Sequence, residues 1–356
     1  MKASEVNTSM LLGSAVANRR HRTPSKHAAQ CMSVSGKGHQ RRLSDVHCKS
    51  AGPHHSPSER THVHSGFVPA ADLDVGLFVE ALTKDLTRQR STGLISERCA
   101  EEVTPMEITF LGTGAPLHES RATMGMMLTA DGCAPLLIDT CGGFELARNL
   151  NSAGFRLAEI RNIIVTHRHF DHTGGMMALF LANMPLDIHA LADTYTGICE
   201  MKAGCFPELQ LHPEVHHHRA EFGHTREIGG FVVEFFQVEH RVPTVAVRIT
   251  HGGRTVAFSA DCLPGEGLVA AARNADLFIC DTMCAERDGD GARNRTRSLM
   301  HPTAREAAEI SKQAEAHRLA CVHIARFGST RNILEEAKTA FNGRVEIPND
   351  GDHYMI

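Results

Sequence analysis

From Met106 onward, apolar and polar positions recur at the two-residue period of strands. Glu107-Ile108-Thr109-Phe110-Leu111 alternates and runs into the tight turn Gly112-Thr113-Gly114. Met126–Thr129 and Pro135–Asp139 predict two further strands, with Asp131-Gly132 as the hairpin signal between them. Gly142-Gly143 opens a helix through Leu150, and Ile160–Val165 predicts another strand. Later strands are expected at Phe231–Val238, Thr244–Thr250, Thr255–Ser259, Leu277–Ile279 and Leu319–Val322, with Gly252-Gly253 joining two of them as a hairpin. Thr303-x-x-Glu306 is a capping box and starts a helix running to about His317. Strands first, then strands mixed with helices, predict an α+β domain of sheets sandwiched between helices.

Upstream the pattern fails. Residues 1–66 hold 10 Lys and Arg against 3 Asp and Glu, eight histidines and many serines, without helical or strand periodicity. This composition predicts a disordered basic tail. Its apolar patch Met10–Ala17, before Arg19-Arg20, is short for a signal peptide and lacks a basic leader. A transit peptide is also basic and Ser-rich. The reading adopted is a solvated tail, or translated sequence upstream of a start at Met106. Residues 67–105 read as a linker with one amphipathic helix at 72–90, and 106–356 as the catalytic domain.

Hydrophobic content of 42% and charged content of 22% fit a soluble globular protein. No apolar run reaches the ~18 residues of a membrane span. Eleven cysteines without a CxxC pair read as reduced thiols, hence a cytoplasmic protein rather than a disulfide framework. Residues 1–105 carry 14 basic and 10 acidic side chains, leaving 23 against 31 in 106–356, near −8. That balance counts against nucleic acid as the substrate, because phosphate contacts come from Lys and Arg.

One stretch concentrates chemistry: Thr166-His167-Arg168-His169-Phe170-Asp171-His172-Thr173-Gly174-Gly175. Four ligand-type side chains within six residues suit zinc-like cations, which take nitrogen and oxygen ligands. His167 and His169, two apart in an extended ending, point the same way; Asp171 and His172 face a neighbouring position. Four ligands cannot complete two sites. Strand ends offer His240, Asp261 and His323 as the others. His216-His217-His218, with His212 and His224, lies among charges and reads as a solvated loop. Cys141 and Cys262 read as buried bystanders.

The motifs together resemble the metallo-β-lactamase-fold hydrolases, in the branch containing ribonuclease Z, the cyclic phosphodiesterase of phosphonate metabolism and the alkyl/aryl sulfatases. The resemblance covers 106–356. Phe110–Pro116 matches the opening strand and turn, Leu137–Gly143 the second motif, and Thr166–Gly175 the HxHxDH signature in full. Ser259-Ala260-Asp261 stands where relatives have Gly-Asp, and His301 and His323 bracket a helix. The resemblance implies an αββα sandwich with two divalent metal ions, zinc first and manganese or iron next. His167, His169 and His240 would hold one; Asp171, His172 and His323 the other; Asp261 would bridge them. A hydroxide between the metals would be the nucleophile, with Asp171 orienting it. His301 would stabilise the oxyanion or protonate the leaving group, against the bland reading of a surface histidine beside a helix cap. Asp139 reads as a supporting hydrogen-bonder, and Asp281 as a partner to a histidine.

Ribonuclease Z relatives carry a tRNA-grasping arm between the third histidine and the bridging aspartate. Here His240 and Asp261 are 21 positions apart, and much of that is one hairpin. The expected substrate is therefore a small-molecule phosphodiester, sulfate ester or similar ester, with no membrane partner. A long insertion between Thr173 and His240 is expected to shape the substrate mouth. Alternatives are a tRNA 3′-processing endoribonuclease, a lactonase or thioesterase of the same fold, and a redox or non-catalytic binding member. The complete ligand set argues against lost catalysis, and the lack of a flavodoxin-like domain against flavo-diiron chemistry. Relatives commonly form a homodimer, though no interface signal stands out here.

Overall fold

The alternation after Met106 becomes β1, Met106–Gly112, whose Ile108 and Phe110 are wholly buried. The computed structural model describes residues 105–356; the tail, and the linker with its helix at 72–90, lie outside the described residues save for Pro105. Hairpin geometry continues the pattern. β2, Gly125–Ala130, pairs antiparallel with β1 and with β3, Leu136–Thr140. After α1, Glu145–Ser152, the order turns parallel: β4, Asn162–Val165, lies beside β3. A one-turn helix α2, Phe170–Thr173, and α3, Met176–Leu181, lead to β5, Leu186–Ala190. After α4, Ala192–Cys205, comes β6, Val215–Arg219.

The second sheet repeats this plan. β7, Thr225–Ile228, β8, Phe231–Val238, β9, Thr244–His251, and β10, Arg254–Phe258, are an antiparallel meander. Past α5, Glu266–Ala272, strand β11, Leu277–Asp281, lies parallel to β10. Helices α6, Asp290–Leu299, and α7, Ala304–Gln313, precede the parallel β12, Arg318–Val322. Helix α8, Thr330–Ala340, leads to β13, Arg344–Glu346, while β14, His353–Met355, returns to the first sheet beside β1. The orders are β14-β1-β2-β3-β4-β5-β6 and β13-β12-β11-β10-β9-β8-β7.

Burial explains the layering. Ile108, Phe110, Ile138 and Ile164 of the first sheet meet Phe231, Phe235, Phe258 and Ile279 of the second in one core. Leu146, Leu179 and Ile198 of α1, α3 and α4 cover the outer face of the first sheet. Leu268, Ala308 and Ile333 of α5, α7 and α8 cover the second. β11 is buried along its whole length because it is covered on both faces: Leu277 and Ile279 point to the inter-sheet core, Phe278 and Cys280 to the helices. This is the αββα sandwich. Among the described residues, no helix is long and apolar enough to cross a membrane.

The histidine-rich stretch corrects an expectation. Val215–Arg219 is not a solvated loop but an edge strand, paired from Leu186↔Val215 to Ala190↔Arg219. Its backbone needs a partner on one side only, and its flat rings pack instead of aliphatic chains. His217 stacks on Tyr195 with centroids 4.0 Å apart, and His218 on His189 at 4.7 Å. Residues 176–239 are thus no insertion; they finish one sheet and begin the other.

Candidate metal centre

The ligand-type residues sit at or just after strand ends, or in the short helix and loops that follow, and the fold brings their donor atoms together. His167 and His169 follow β4, Asp171 and His172 lie in α2, and His240, Asp261 and His323 follow β8, β10 and β12. Asp281 is the last residue of β11, and His301 lies between α6 and α7. Several junctions adopt left-handed backbone that L side chains rarely take. Asp139 has φ 54°, Ala260 52° and His323 56°. Such conformations, each costing on the order of 1 kcal/mol, persist where packing over-determines them.

Two groups of donor atoms result, and Asp261 belongs to both. In the first, His169 Nδ1 lies 3.1 Å from His167 Nε2 and 3.2 Å from His240 Nε2. Asp261 Oδ2 stands 3.6 Å from His167 Nε2 and 3.9 Å from His240 Nε2. In the second, His323 Nε2 is 3.2 Å from Asp171 Oδ2 and 3.5 Å from Asp261 Oδ2. His172 Nε2 is 3.5 Å from Asp171 Oδ2 and 3.3 Å from Asp261 Oδ1. A tetrahedral ion with bonds of roughly 2.0–2.2 Å spaces its ligands by roughly 3.3–3.6 Å. The residues fit such an ion.

The outward nitrogens fix which lone pairs face inward. His240 Nδ1 lies 3.3 Å from Met300 O, a carbonyl that can only accept, so Nδ1 carries the proton and Nε2 is bare. His172 Nδ1 donates to Asp139 Oδ2 at 2.7 Å, so Nε2 is the nitrogen that would offer a lone pair to a cation on giving up its proton. Thr166 Oγ1 donates to the same Asp139 oxygen and accepts from His167 Nδ1 at 3.0 Å, which leaves His167 Nε2 a lone pair. His172 Nε2 and Asp261 Oδ1 are buried without a hydrogen-bond partner. Lone pairs aimed at lone pairs and carboxylates call for a cation.

Charge follows the same division. Burial pushes His167 well below the usual imidazole range and His240 down to about 4, so both are neutral at pH 7. Burial also works against a proton on His172 and His323, but the carboxylates override it. Asp261, Asp171 and Asp139 raise His172 well above its ordinary value, and Asp261, Asp171 and Asp281 bring His323 up to about 10. Burial opposes the charge on Asp171 and Asp261, yet the facing histidines hold both carboxyls well below their usual range. In the metal-free chain protons stand where a cation's charge belongs.

A third group joins this one. His301 Nδ1 donates to Asp281 Oδ2 at 2.6 Å, and Asp281 Oδ1 lies 3.4 Å from His323 Nδ1. His301 is 5% exposed and faces a cavity of about 380 Å³ shared with His169, Asp171, His240, Asp261 and His323.

A family model described as "Beta-lactamase superfamily domain" matches residues 135–324. The chain belongs to the beta-lactamase superfamily. Within it, the chain is 29% identical to the probable metallo-hydrolase YhfI of Bacillus subtilis over 251 residues, 69% of this chain and 98% of that one. It is 28% identical to ribonuclease Z of Halorubrum lacusprofundi over 308 residues, 69% of this chain and 96% of the relative. The crystal structure of YhfI matches at 27% identity and TM-score 0.61, covering 71% of this chain and all of that one. Human tRNase Z, short form, shares the fold at 22% identity and TM-score 0.55, covering 70% of this chain and 98% of its own. A diphosphatase from the PhnP family does so at 16% and 0.55, with 71% and 97% covered. Metallo-hydrolases of this fold bind divalent metal, and the His/Asp groups of this chain are of a kind that could hold one.

Sequence reasoning missed the rest of the cavity. Leu117, Phe170, Arg241, Met283, Arg295 and Phe327 line it, and no residue between 176 and 239 does. The stretch contributes instead to an adjoining cavity of about 790 Å³, where Leu191, Asp193, Arg219 and Phe222 stand with His240 and Arg241, which line both cavities. Adjacency to a ligand was a usable signal for Phe170 and Arg241. Arg295, in the polar α6, had none.

Proposed function

We propose that this domain hydrolyses a small phosphodiester at a two-metal centre, with sulfate esters as the neighbouring class. The observation that supports it is the sharing of Asp261 between two adjacent donor groups. His167, His169 and His240 would hold one ion, and Asp171, His172 and His323 the other. The metals when bound lower the pKa of water, supply a nucleophile at neutral pH and stabilise charge on the transferred group; zinc suits the nitrogen-rich set.

The chain's own residues do the remainder. Asp171 Oδ2, at the cavity wall, accepts a hydrogen bond from the attacking water and aims it. Attack forms one bond to phosphorus as the bond to the leaving oxygen breaks. His301, its Nδ1–H directed into Asp281, presents Nε2 to the cavity; in its doubly protonated form it delivers the Nε2 proton to that oxygen, and the proton given up by the attacking water restores it. Metal content with turnover of bis-p-nitrophenyl phosphate, an aryl sulfate and a lactone tests the reading. Hydrolysis of the phosphodiester is expected; no turnover of any of them with two equivalents of metal bound sinks it.

A second reading has its own support, since ribonuclease Z proteins match this chain along nearly their full length. Against it, His240 and Asp261 are joined by the β9–β10 hairpin, with no arm. Cleavage of precursor tRNA by the purified protein would favour it.

A further inference from the structure

We propose that Arg241, Arg295 and Arg326 clamp a second phosphate of the substrate, remote from the ester that is cleaved. The inference rests on the phosphodiester reading above. All three arginines line the 380 Å³ cavity beside the donor groups, and all three are exposed. The only carboxylates lining that cavity are Asp171 and Asp261, both committed to the centre. None of the three arginines has a carboxylate partner among the described residues, whereas eleven others form ion pairs. In a domain near −8 overall, the rim of this cavity is locally basic.

The arginines form one cluster rather than three scattered side chains. Arg241 Nη2 donates to Ser298 O on α6, the helix that also carries Arg295. The Arg295 guanidinium lies 5.4 Å from the centroid of the Phe327 ring, and Arg326 precedes that ring in the chain. Packing and a carbonyl thus hold two of the three without neutralising them. Guanidinium stays charged at any working pH and grips phosphate through two parallel N–H donors. The single negative charge of a scissile diester is met at the metal centre. Three further cations suit a further oxyanion, and the exposed Phe170 and the half-buried Phe327 beside them give a flat ring a surface to lie on.

Two esters that differ only by that group test the clamp: thymidine 5′-(p-nitrophenyl phosphate) and its 3′-phosphorylated form. With the metal-loaded enzyme, kcat/KM is expected to favour the 3′-phosphate by about tenfold or more, a preference that shrinks as salt rises. In Arg295→Gln/Arg326→Gln the ratio is expected to fall toward one, and in the Lys double variant to recover in part. The ratio is read within each preparation, so loss of folded enzyme does not enter it. Calorimetric binding of thymidine 3′,5′-bisphosphate to the metal-free protein, expected to weaken about tenfold in the Gln variant, reads the clamp without chemistry. Turnover of both esters with a wild-type ratio below about three overturns the clamp and leaves the phosphodiesterase standing. A ratio that survives the double substitution also overturns it. Turnover of neither ester, with metal verified, removes the underlying reading and the clamp with it.

Discussion

Asp139 Oδ2 and His172 Nδ1 lie 2.7 Å apart, both completely buried, at the ends of elements 33 residues apart in the chain. The same carboxylate accepts the Thr166 amide at 2.8 Å and the Thr166 hydroxyl at 2.9 Å, so one side chain sets both His172 and the start of the histidine stretch. Asp139→Asn keeps the shape but offers an N–H where an acceptor is needed. Metal affinity is expected to fall about 10- to 100-fold, as for other carboxylates behind a ligand histidine. Competition with a chromophoric chelator measures it, and an unchanged affinity would rule out the orienting role.

Gly175 is required by space rather than by backbone angle. A Cβ there would meet Thr140 O at 1.8 Å and Leu146 Cδ2 at 2.9 Å. Gly175→Ala must push the helix start off the end of β3, at a cost of roughly 1–3 kcal/mol for overpacking. Because Thr140 Oγ1 donates to His172 O at 2.9 Å, the displacement reaches the centre. A lower urea midpoint together with weaker metal binding is expected; a lower midpoint alone would show that the two are uncoupled.

His169→Ala removes an imidazole shared by the two shortest contacts of the first group. It is expected to lose metal from that position and phosphodiester turnover together, with little change in urea midpoint because the ring is only partly buried. Retained activity refutes the assignment. In the wild-type protein, metal at 100 times its Kd is expected to stabilise the fold by about 2.7 kcal/mol relative to chelator-treated protein. Binding should also acidify weakly buffered solution, since protons on His172 and His323 leave as a cation enters.

Away from the centre, burial brings His189 down to about 4, with His218 and Arg226 adding to the effect and Asp187 opposing it. The unfolded chain titrates near 6.5, so between about 6.5 and 4 it binds more protons than the folded chain. Stability from the neutral ring is complete above that window and declines as pH falls through it, by on the order of 2 kcal/mol. Urea midpoints at pH 7, 5.5 and 4.5 for wild type and His189→Gln check this. The wild type is expected to decline more steeply; parallel declines would show that His189 does not carry the effect.

The legible parts of this protein were those where short-range pattern and long-range geometry agree. His240, Asp261 and His323 each follow an apolar run that ends as a strand in the sheets, so strand ends alone brought them forward as candidates. The density of imidazole and carboxylate in Thr166–Gly175 needed no tertiary information. β6 was illegible because an edge strand of three histidines has no apolar face to betray it. The pairing of His301 with Asp281 joins a loop to a strand end, and only packing reveals it. α6 buries just Thr296, so nothing in its composition marks Arg295 as facing a cavity.

The split of donors between sheets has a mechanical consequence. His167, His169, Asp171 and His172 come from the half of the chain that builds the first sheet, and His240, Asp261 and His323 from the half that builds the second. Neither half owns a full set. A bound cation is therefore a rivet through a seam, and a polypeptide severed between β6 and β7 would regain its ligands only when the two pieces dock. Cation capture by such fragments, mixed after separate purification, becomes a gauge of how faithfully one sheet finds the other.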